Sequence, residues 1–255
     1  MSTTSEQLAG GGRFTLTLSD GAVTKRGDAR TLAREAAGLR VVSAAGVGPT
    51  LLSATRGAIT TTLVPGRTRI SVRWTSADCG VLGAALRRLH ETRHGRSGGR
   101  AEWTSPVYSL SAYRARRLGD ALSAARSPRD RATVERVAAS LPPLDAPPEA
   151  SPFRMLHGDL VGANILWTPT PQLVDFEFWR MGDPAEDLAY LIELNGIGPR
   201  RIAALAAGYD EPNVAERVDA WRALCVVDAA LWYQAHGDRS RCATLLARAK
   251  ELSNS

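Results

Sequence analysis

The segment Leu156-His157-Gly158-Asp159-Leu160-Val161-Gly162-Ala163-Asn164-Ile165-Leu166 constrains this 255-residue chain more than any other. Its apolar ends read as short strands over 153–156 and 165–167, and the residues between them read as a loop. Leu173-Val174-Asp175-Phe176-Glu177 follows, with Asp175 eleven residues beyond Asn164; it closes a further predicted strand over 172–176. Two carboxylates and one amide are therefore carried on loops beside short strands, where a rigid scaffold presents functional side chains.

Upstream of this segment the pattern is that of strands. Residues 6–9 read as a strand before Gly10-Gly11-Gly12, 14–18 alternate apolar and polar, Asp20-Gly21 is a hairpin-turn pair, and 22–26 return. A helix follows over 29–45, ended by Gly46, with Leu32, Glu35, Ala36, Leu39 and Val42 on one face. Glu35 is then either a buried carboxylate that needs a partner or a wet residue at the edge of the stripe. Strands over 50–54 and 58–64 lead to Pro65-Gly66, which breaks the chain. Helical periodicity then dominates: 76–90, 107–124, 128–140, 184–194, 199–207, 212–236 and 239–252. A Gly- and Arg-rich loop is expected over 92–106 and an extended, proline-rich surface linker over 141–152. Strands first and helices later predict an α+β chain, with one lobe over 1–65 and a mostly helical lobe over 66–255.

The polar residues suit phosphoryl transfer, which needs few parts. A carboxylate must orient a hydroxyl and accept its proton, and Asp159 suits that role. Oxygen ligands must hold Mg²⁺ against phosphates, and Asn164 and Asp175 are hard donors on adjacent loops. A cation must neutralise developing charge. Of the 32 basic residues only Lys25 and Lys250 are lysine, and Lys25 lies in a predicted strand with Glu35 available to hold it. The Gly10–Gly12 bend would let backbone N–H groups approach phosphate oxygens.

His157-Gly-Asp159, Asn164, Asp175-Phe-Glu177 and Gly182-Asp183-Pro184-Ala-Glu-Asp187-Leu188-Ala189 together resemble the aminoglycoside phosphotransferase/choline kinase family. The resemblance covers most of the chain from Gly10 to Leu194. It implies a bilobal, protein-kinase-like fold with ATP or GTP as phosphate donor and Mg²⁺ as cofactor. By position it implies Asp159 as base, Asn164 and Asp175 as metal ligands, and Lys25 on the nucleotide phosphates, paired with Glu35. Gly11, Gly12, Thr62 and Val64 would meet the nucleotide, the purine lying at the 60–66 hinge. His157 and Asp187 would brace the catalytic loop. Glu177, Trp179 and Asp183 are expected at the acceptor; Glu177 stands where a protein kinase has glycine. Only seven residues separate Asp175 from Asp183, too few for a peptide-docking segment, so the acceptor is expected to be small.

Composition narrows the rest. The net charge is +6, split as 22 basic against 12 acidic residues over 1–150 and 10 against 14 over 151–255. The acidic second half leans toward a cationic acceptor. No arginine run interleaves with aromatics, which argues against nucleic acid. No apolar run approaches the roughly 20 residues of a membrane span, and the first residues do not read as a secretory signal. Cys79, Cys225 and Cys242 form no CxxC pair, so neither a disulfide framework nor a zinc site is expected. Trp179, Trp221, Trp232 and Tyr233 read either as core at helical spacing or as an aromatic wall for a cation. His90 and His94 read as a helix end and a loop. The expectation is a cytoplasmic monomer that phosphorylates a hydroxyl of an antibiotic. The alternatives are a kinase for choline, a sugar or an amino alcohol, and a non-catalytic nucleotide-binding module.

Overall fold

Asp20 and Gly21 both take positive φ, 48° and 72°, so β2 (Thr15–Ser19) turns directly back into β3 (Ala22–Arg26) with the twist a hairpin requires. The computed structural model describes residues 6–8, 13–69, 71–92, 109–144 and 153–254. Its first part is a five-stranded antiparallel sheet of order β1-β2-β3-β5-β4, with β1 at Glu6–Leu8, β4 at Leu51–Thr55 and β5 at Ala58–Thr62. Helix α1 (Ala29–Ala45) packs on this sheet. Asp28 caps its start by accepting from the Thr31 N–H at 2.8 Å, and Gly46 ends it at φ 64°. Its stripe of Leu32, Ala36, Leu39 and Val42 is buried, worth about 1.5–3 kcal/mol for each large apolar side chain.

From β5 the chain passes Pro65 and Gly66, and Arg67 exchanges both backbone hydrogen bonds with Trp167, at 3.2 and 2.8 Å. Two small antiparallel pairs lie there: the hairpin of β7 (Ile165–Trp167) with β8 (Pro171–Leu173), and β6 (Arg154–Leu156) with β9 (Arg180–Gly182), which encloses it in sequence. The remainder is helical: α2 (Ser76–Glu91), α3 (Leu110–Ala124), α4 (Pro128–Ser140), α5 (Pro184–Leu194), α6 (Pro199–Tyr209), the single turn α7 (Pro212–Ala215), α8 (Asp219–Ala235) and α9 (Arg239–Leu252). Among the described residues no helix is long and apolar enough to cross a membrane. Cys79, Cys225 and Cys242 are buried free thiols.

Two sequence expectations are corrected. The strand expected over 172–176 stops at Leu173, because Asp175 takes a left-handed conformation (φ 66°, ψ 65°) and a 3₁₀ turn, Phe176–Phe178, follows. The helix expected over 212–236 is broken between α7 and α8, where the Arg217 side chain turns inward to the buried Asp183. Strand β9 was not foreseen. Gly10–Gly12, most of the loop over 92–106 and the linker beyond Leu144 lie outside the described residues.

Helices α2 and α6 cross at backbone contact. A Cβ on Gly208 would fall on the Gly80 backbone, within 2.8 Å of its Cα, and one on Gly83 would fall on the Leu205 carbonyl and 2.8 Å from the Tyr209 nitrogen. This crossing sets the distance between His90 near the end of α2 and Tyr209 at the end of α6. Gly208→Ala should therefore destabilise the fold by about 1–3 kcal/mol through overpacking. Gly119→Ala in α3, where an added methyl meets nothing within 4 Å, should stabilise by up to about 1 kcal/mol. Urea denaturation of the two variants checks this; equal midpoints would refute the tight crossing.

Candidate active site

The loop after β6 is shaped by one buried carboxylate. Asp187, in the first turn of α5, accepts from the backbone N–H of His157 at 2.7 Å and of Gly158 at 3.0 Å. His90 Nε2 donates to the same carboxylate at 3.1 Å, and His90 Nδ1 accepts from the Tyr209 hydroxyl at 2.9 Å. Burial pushes the Asp187 carboxyl up, but His90, His157 and the Gly158 N–H outweigh it and hold it below its ordinary value. Gly158 takes φ 82°, and a Cβ there would fall on the Phe178 carbonyl and the Arg180 guanidinium. His157 Nε2 donates to the Val174 carbonyl at 3.0 Å while its Nδ1 accepts from the Asp159 N–H at 3.3 Å. The His157 ring thus ties the loop of Asp159 to the strand end that carries Asp175.

Asp159 has both carboxylate oxygens engaged. Asn164 Nδ2 donates to Oδ2 at 2.9 Å and to the Asp159 carbonyl at 2.9 Å, and the Tyr190 hydroxyl donates to Oδ1 at 3.0 Å. This use of the amide nitrogen leaves Asn164 Oδ1 as its acceptor atom. The Asn164 backbone carbonyl receives the Val174 N–H at 3.0 Å, which fixes Asn164 beside Asp175. Across the sheet, Lys25 Nζ bridges Glu35 Oε2 at 2.8 Å and Asp175 Oδ1 at 2.7 Å. Glu35 is therefore the buried, paired carboxylate rather than the wet one. Glu177 Oε1 accepts from Arg13 Nη2 at 2.6 Å.

A cavity of about 720 Å³ opens beside Asp159, walled by Tyr190, Phe178, Arg180, Asp228, Trp232 and Tyr233 among others. Its base is a buried polar knot. Glu186 accepts from the Tyr113 hydroxyl at 2.6 Å, from Arg117 Nε at 2.9 Å and from Arg180 Nη2 at 2.6 Å, and Arg117 also donates to Asp228 at 2.7 Å.

The structure brings Lys25, Glu35, Asp159, Asn164, Asp175 and Glu177 together, with His157 and Asp187 behind them. Thr62 and Val64 lie at the lobe junction: Thr62 closes β5 on Thr50, and the Val64 carbonyl accepts from the Gly66 N–H at 2.8 Å. Gly11 and Gly12 lie outside the described residues. Trp179 and Asp183 are corrected, since both are fully buried away from the cavity. The turn after Asp175 drives the Trp179 indole against Gly38 of α1, where its Nε1 donates to the Arg34 carbonyl at 2.6 Å. Asp183 caps α5 and accepts from Arg217 and from Trp221 Nε1 at 2.9 Å. Trp221 is core as well, so of the four aromatics only Trp232 and Tyr233 reach the cavity. Tyr190, Arg13 and His90 were not singled out as site residues. Tyr190 lies three residues after Asp187 on the same helix, close enough in spacing to have been suspected.

Residues 5–224 match the model of the phosphotransferase enzyme family. Viomycin phosphotransferase of Streptomyces vinaceus is 38% identical over 120 residues, a match spanning 43% of this chain and 40% of that protein. Among solved structures, a choline/ethanolamine kinase family protein from Mesorhizobium loti superposes with TM-score 0.76 at 22% identity, over 99% of this chain and 88% of that one. The streptomycin–ATP complex of aminoglycoside phosphotransferase APH(2")-IIa superposes with TM-score 0.67 at 14% identity, over 97% and 91%.

Carboxylates outnumber cations where the lobes meet. Burial raises Glu35 to about 7, with Lys25 pulling it down and Asp175 pushing it up. Burial opposes the charge on Lys25, yet Glu35 and Asp175 outweigh it and hold Lys25 above its ordinary value. Burial raises Glu177 and Asp159 too, and Asp175 adds to both. A raised folded-state value means that the folded chain binds more protons than the unfolded one. The Glu35 contribution is thus fully present below its unfolded value near 4.5 and is lost as pH rises through about 7. Glu35→Gln should flatten that stretch of the stability profile. Urea midpoints of both proteins across this window check it; parallel profiles would refute it.

Proposed function

The chain belongs to the phosphotransferase enzyme family, and on that premise we propose that it moves the γ-phosphoryl group of ATP or GTP to a hydroxyl of a small-molecule antibiotic. The observation that carries this reading is the Asp159 carboxylate, held at both oxygens by Asn164 and Tyr190 on the wall of a cavity sized for a small molecule. Residues 1–65 form the nucleotide lobe in this reading, and residues 66–255 carry catalysis and acceptor binding.

The acceptor hydroxyl enters the cavity and donates a hydrogen bond to Asp159. As its oxygen bonds to phosphorus and the bond to the nucleoside diphosphate breaks, its proton passes to the Asp159 carboxylate. Lys25, steadied by Glu35 and Asp175, is the cation for the phosphates. The residues fit Mg²⁺. Among the described residues no three His, Cys, Asp or Glu side chains converge as a cage, and Mg²⁺ bound to phosphates takes only one or two protein oxygens. Asp175 and Asn164 Oδ1 would hold it. The buried Oε2 of Glu177, which has no hydrogen-bond partner among the described residues, adds a third oxygen of the right chemistry. When bound, the ion neutralises phosphate charge and orients the γ-phosphoryl group.

The likeness to viomycin phosphotransferase favours an antibiotic acceptor of the self-resistance type, with the acidic second half leaning it toward a cation. A second reading, a choline or amino-alcohol kinase, draws on Trp232 and Tyr233, whose rings line the cavity and suit a quaternary ammonium. In either case we place the protein in the cytoplasm as a monomer, with no nucleic-acid or membrane partner.

Purified protein is given Mg²⁺ and ATP or GTP across a panel of antibiotics and amino alcohols. The true acceptor should gain about 80 Da, one phosphoryl group in place of one hydrogen. Asp159→Ala should lower kcat by about 10²–10⁴-fold while nucleotide still binds. Near-full turnover by that variant would overturn the assignment of the base.

A further inference from the structure

We propose that Arg13 is a further catalytic residue, a cation that binds the transferring γ-phosphoryl group and is held for that task by Glu177. The proposal rests on the phosphotransfer reading above and adds to it a residue that the sequence did not single out.

Position carries the argument first. The Arg13 guanidinium lies 5.6 Å from the centre of the Phe14 ring and 6.0 Å from that of Phe178. Lys25 is a second neighbour of Phe14, with its Nζ 4.2 Å from the same ring. Phe178 lines the acceptor cavity together with Asp159. Arg13 therefore shares one ring with the ammonium expected on the phosphates and neighbours a ring of the acceptor-site wall. A phosphoryl group passing from nucleotide to acceptor moves from the first of these neighbourhoods to the second.

The bonding pattern fits a ligand-binding arginine better than a strut between lobes. Arginine carries five N–H donors in a planar fork that matches phosphate oxygens. Only Nη2 is used by a hydrogen bond among the described residues, to Glu177 Oε1 at 2.6 Å. The Arg13 side chain is 48% exposed while that of Glu177 is 6% exposed. The carboxylate is thus the fixed partner, and the guanidinium keeps accessible donors. Glu177 Oε2 is buried with no hydrogen-bond partner among the described residues, although a two-oxygen carboxylate facing a fork could have paired twice. A bidentate strut would satisfy both oxygens. The single bond orients the fork and leaves its other donors available. Charge agrees: Asp175, Glu177 and Glu35 meet Lys25 and Arg13, so a phosphate and its metal ion can enter without stranding a buried cation.

The test is equilibrium binding of ATP and of ADP, each with Mg²⁺ and without acceptor, to the full chain and to Arg13→Ala and Arg13→Lys. Thermal melting is recorded alongside. Arg13→Ala should lose about 10- to 100-fold in affinity for ATP, the counterpart of one or two charge-assisted hydrogen bonds, and should keep its affinity for ADP. Arg13→Lys, which keeps the charge without the fork, should fall between. Unchanged ATP affinity in Arg13→Ala would overturn the proposal. Equal losses for ATP and ADP with a lowered melting temperature would also overturn it, because a lobe strut behaves that way. If Arg13→Ala does not fold, Arg13→Lys decides by the same ATP-to-ADP ratio. Absence of binding to either nucleotide by the unaltered chain would instead remove the phosphotransfer reading, and this proposal with it.

Discussion

Asp187 has no water to turn to, and the C-terminal lobe is arranged around that fact. A carboxylate this deep must be fully hydrogen-bonded to remain charged. Its partners come from three places: the backbone of His157 and Gly158, the His90 ring of α2, and, through that ring, the Tyr209 hydroxyl of α6. Satisfying one carboxylate therefore fixes the loop of Asp159 relative to two helices. Those helices can reach it only because Gly83 and Gly208 let their backbones touch. The order of causes runs from glycine to helix crossing, then to His90, Asp187 and the loop.

Charge is managed differently on the two sides of Asp159. Below it, Glu186 sits among Tyr113, Arg117 and Arg180, and its carboxyl is held below its ordinary value although burial pushes it up. That knot is closed, with acid and base matched. Above it, Glu35, Asp175 and Glu177 share Lys25 and Arg13, and burial raises Glu35 and Glu177. The contrast separates a wall from a receptor. Matched ion pairs give the cavity its shape, while unmatched carboxylates leave room for cationic company.

The fold was legible to the extent that it rests on local patterns. The hairpin at Asp20-Gly21 and helix α1 with its Gly46 stop are properties of short windows, and the structure keeps them. The constellation from His157 to Asp175 was legible because its spacing is itself the signal. Trp179 and Asp183 were misplaced because proximity in sequence to Asp175 is not proximity in space. The left-handed Asp175 reverses the chain, so the residues that follow dive under α1 and into the α5 cap. Tyr190 and Arg13 were missed for the opposite reason. Each meets its partner, Asp159 or Glu177, only across 31 or 164 residues of chain. The broken helix at Arg217 belongs with these, a local preference overridden by a distant buried acid.

The near-exclusive use of arginine has a practical consequence for anyone who would label this molecule. Lys25 and Lys250 are its two ε-amines. Lys250 lies exposed near the end of α9, whereas Lys25 is locked in two ion pairs at 2.8 and 2.7 Å that keep its amine protonated. An acylating reagent reacts only with a neutral amine, so it meets one open lysine and one masked lysine. The masked one can react only when both of its ion pairs open. Lysine chemistry thus distinguishes closed from open ion pairs at Lys25, with Lys250 as a reference amine on the same polypeptide.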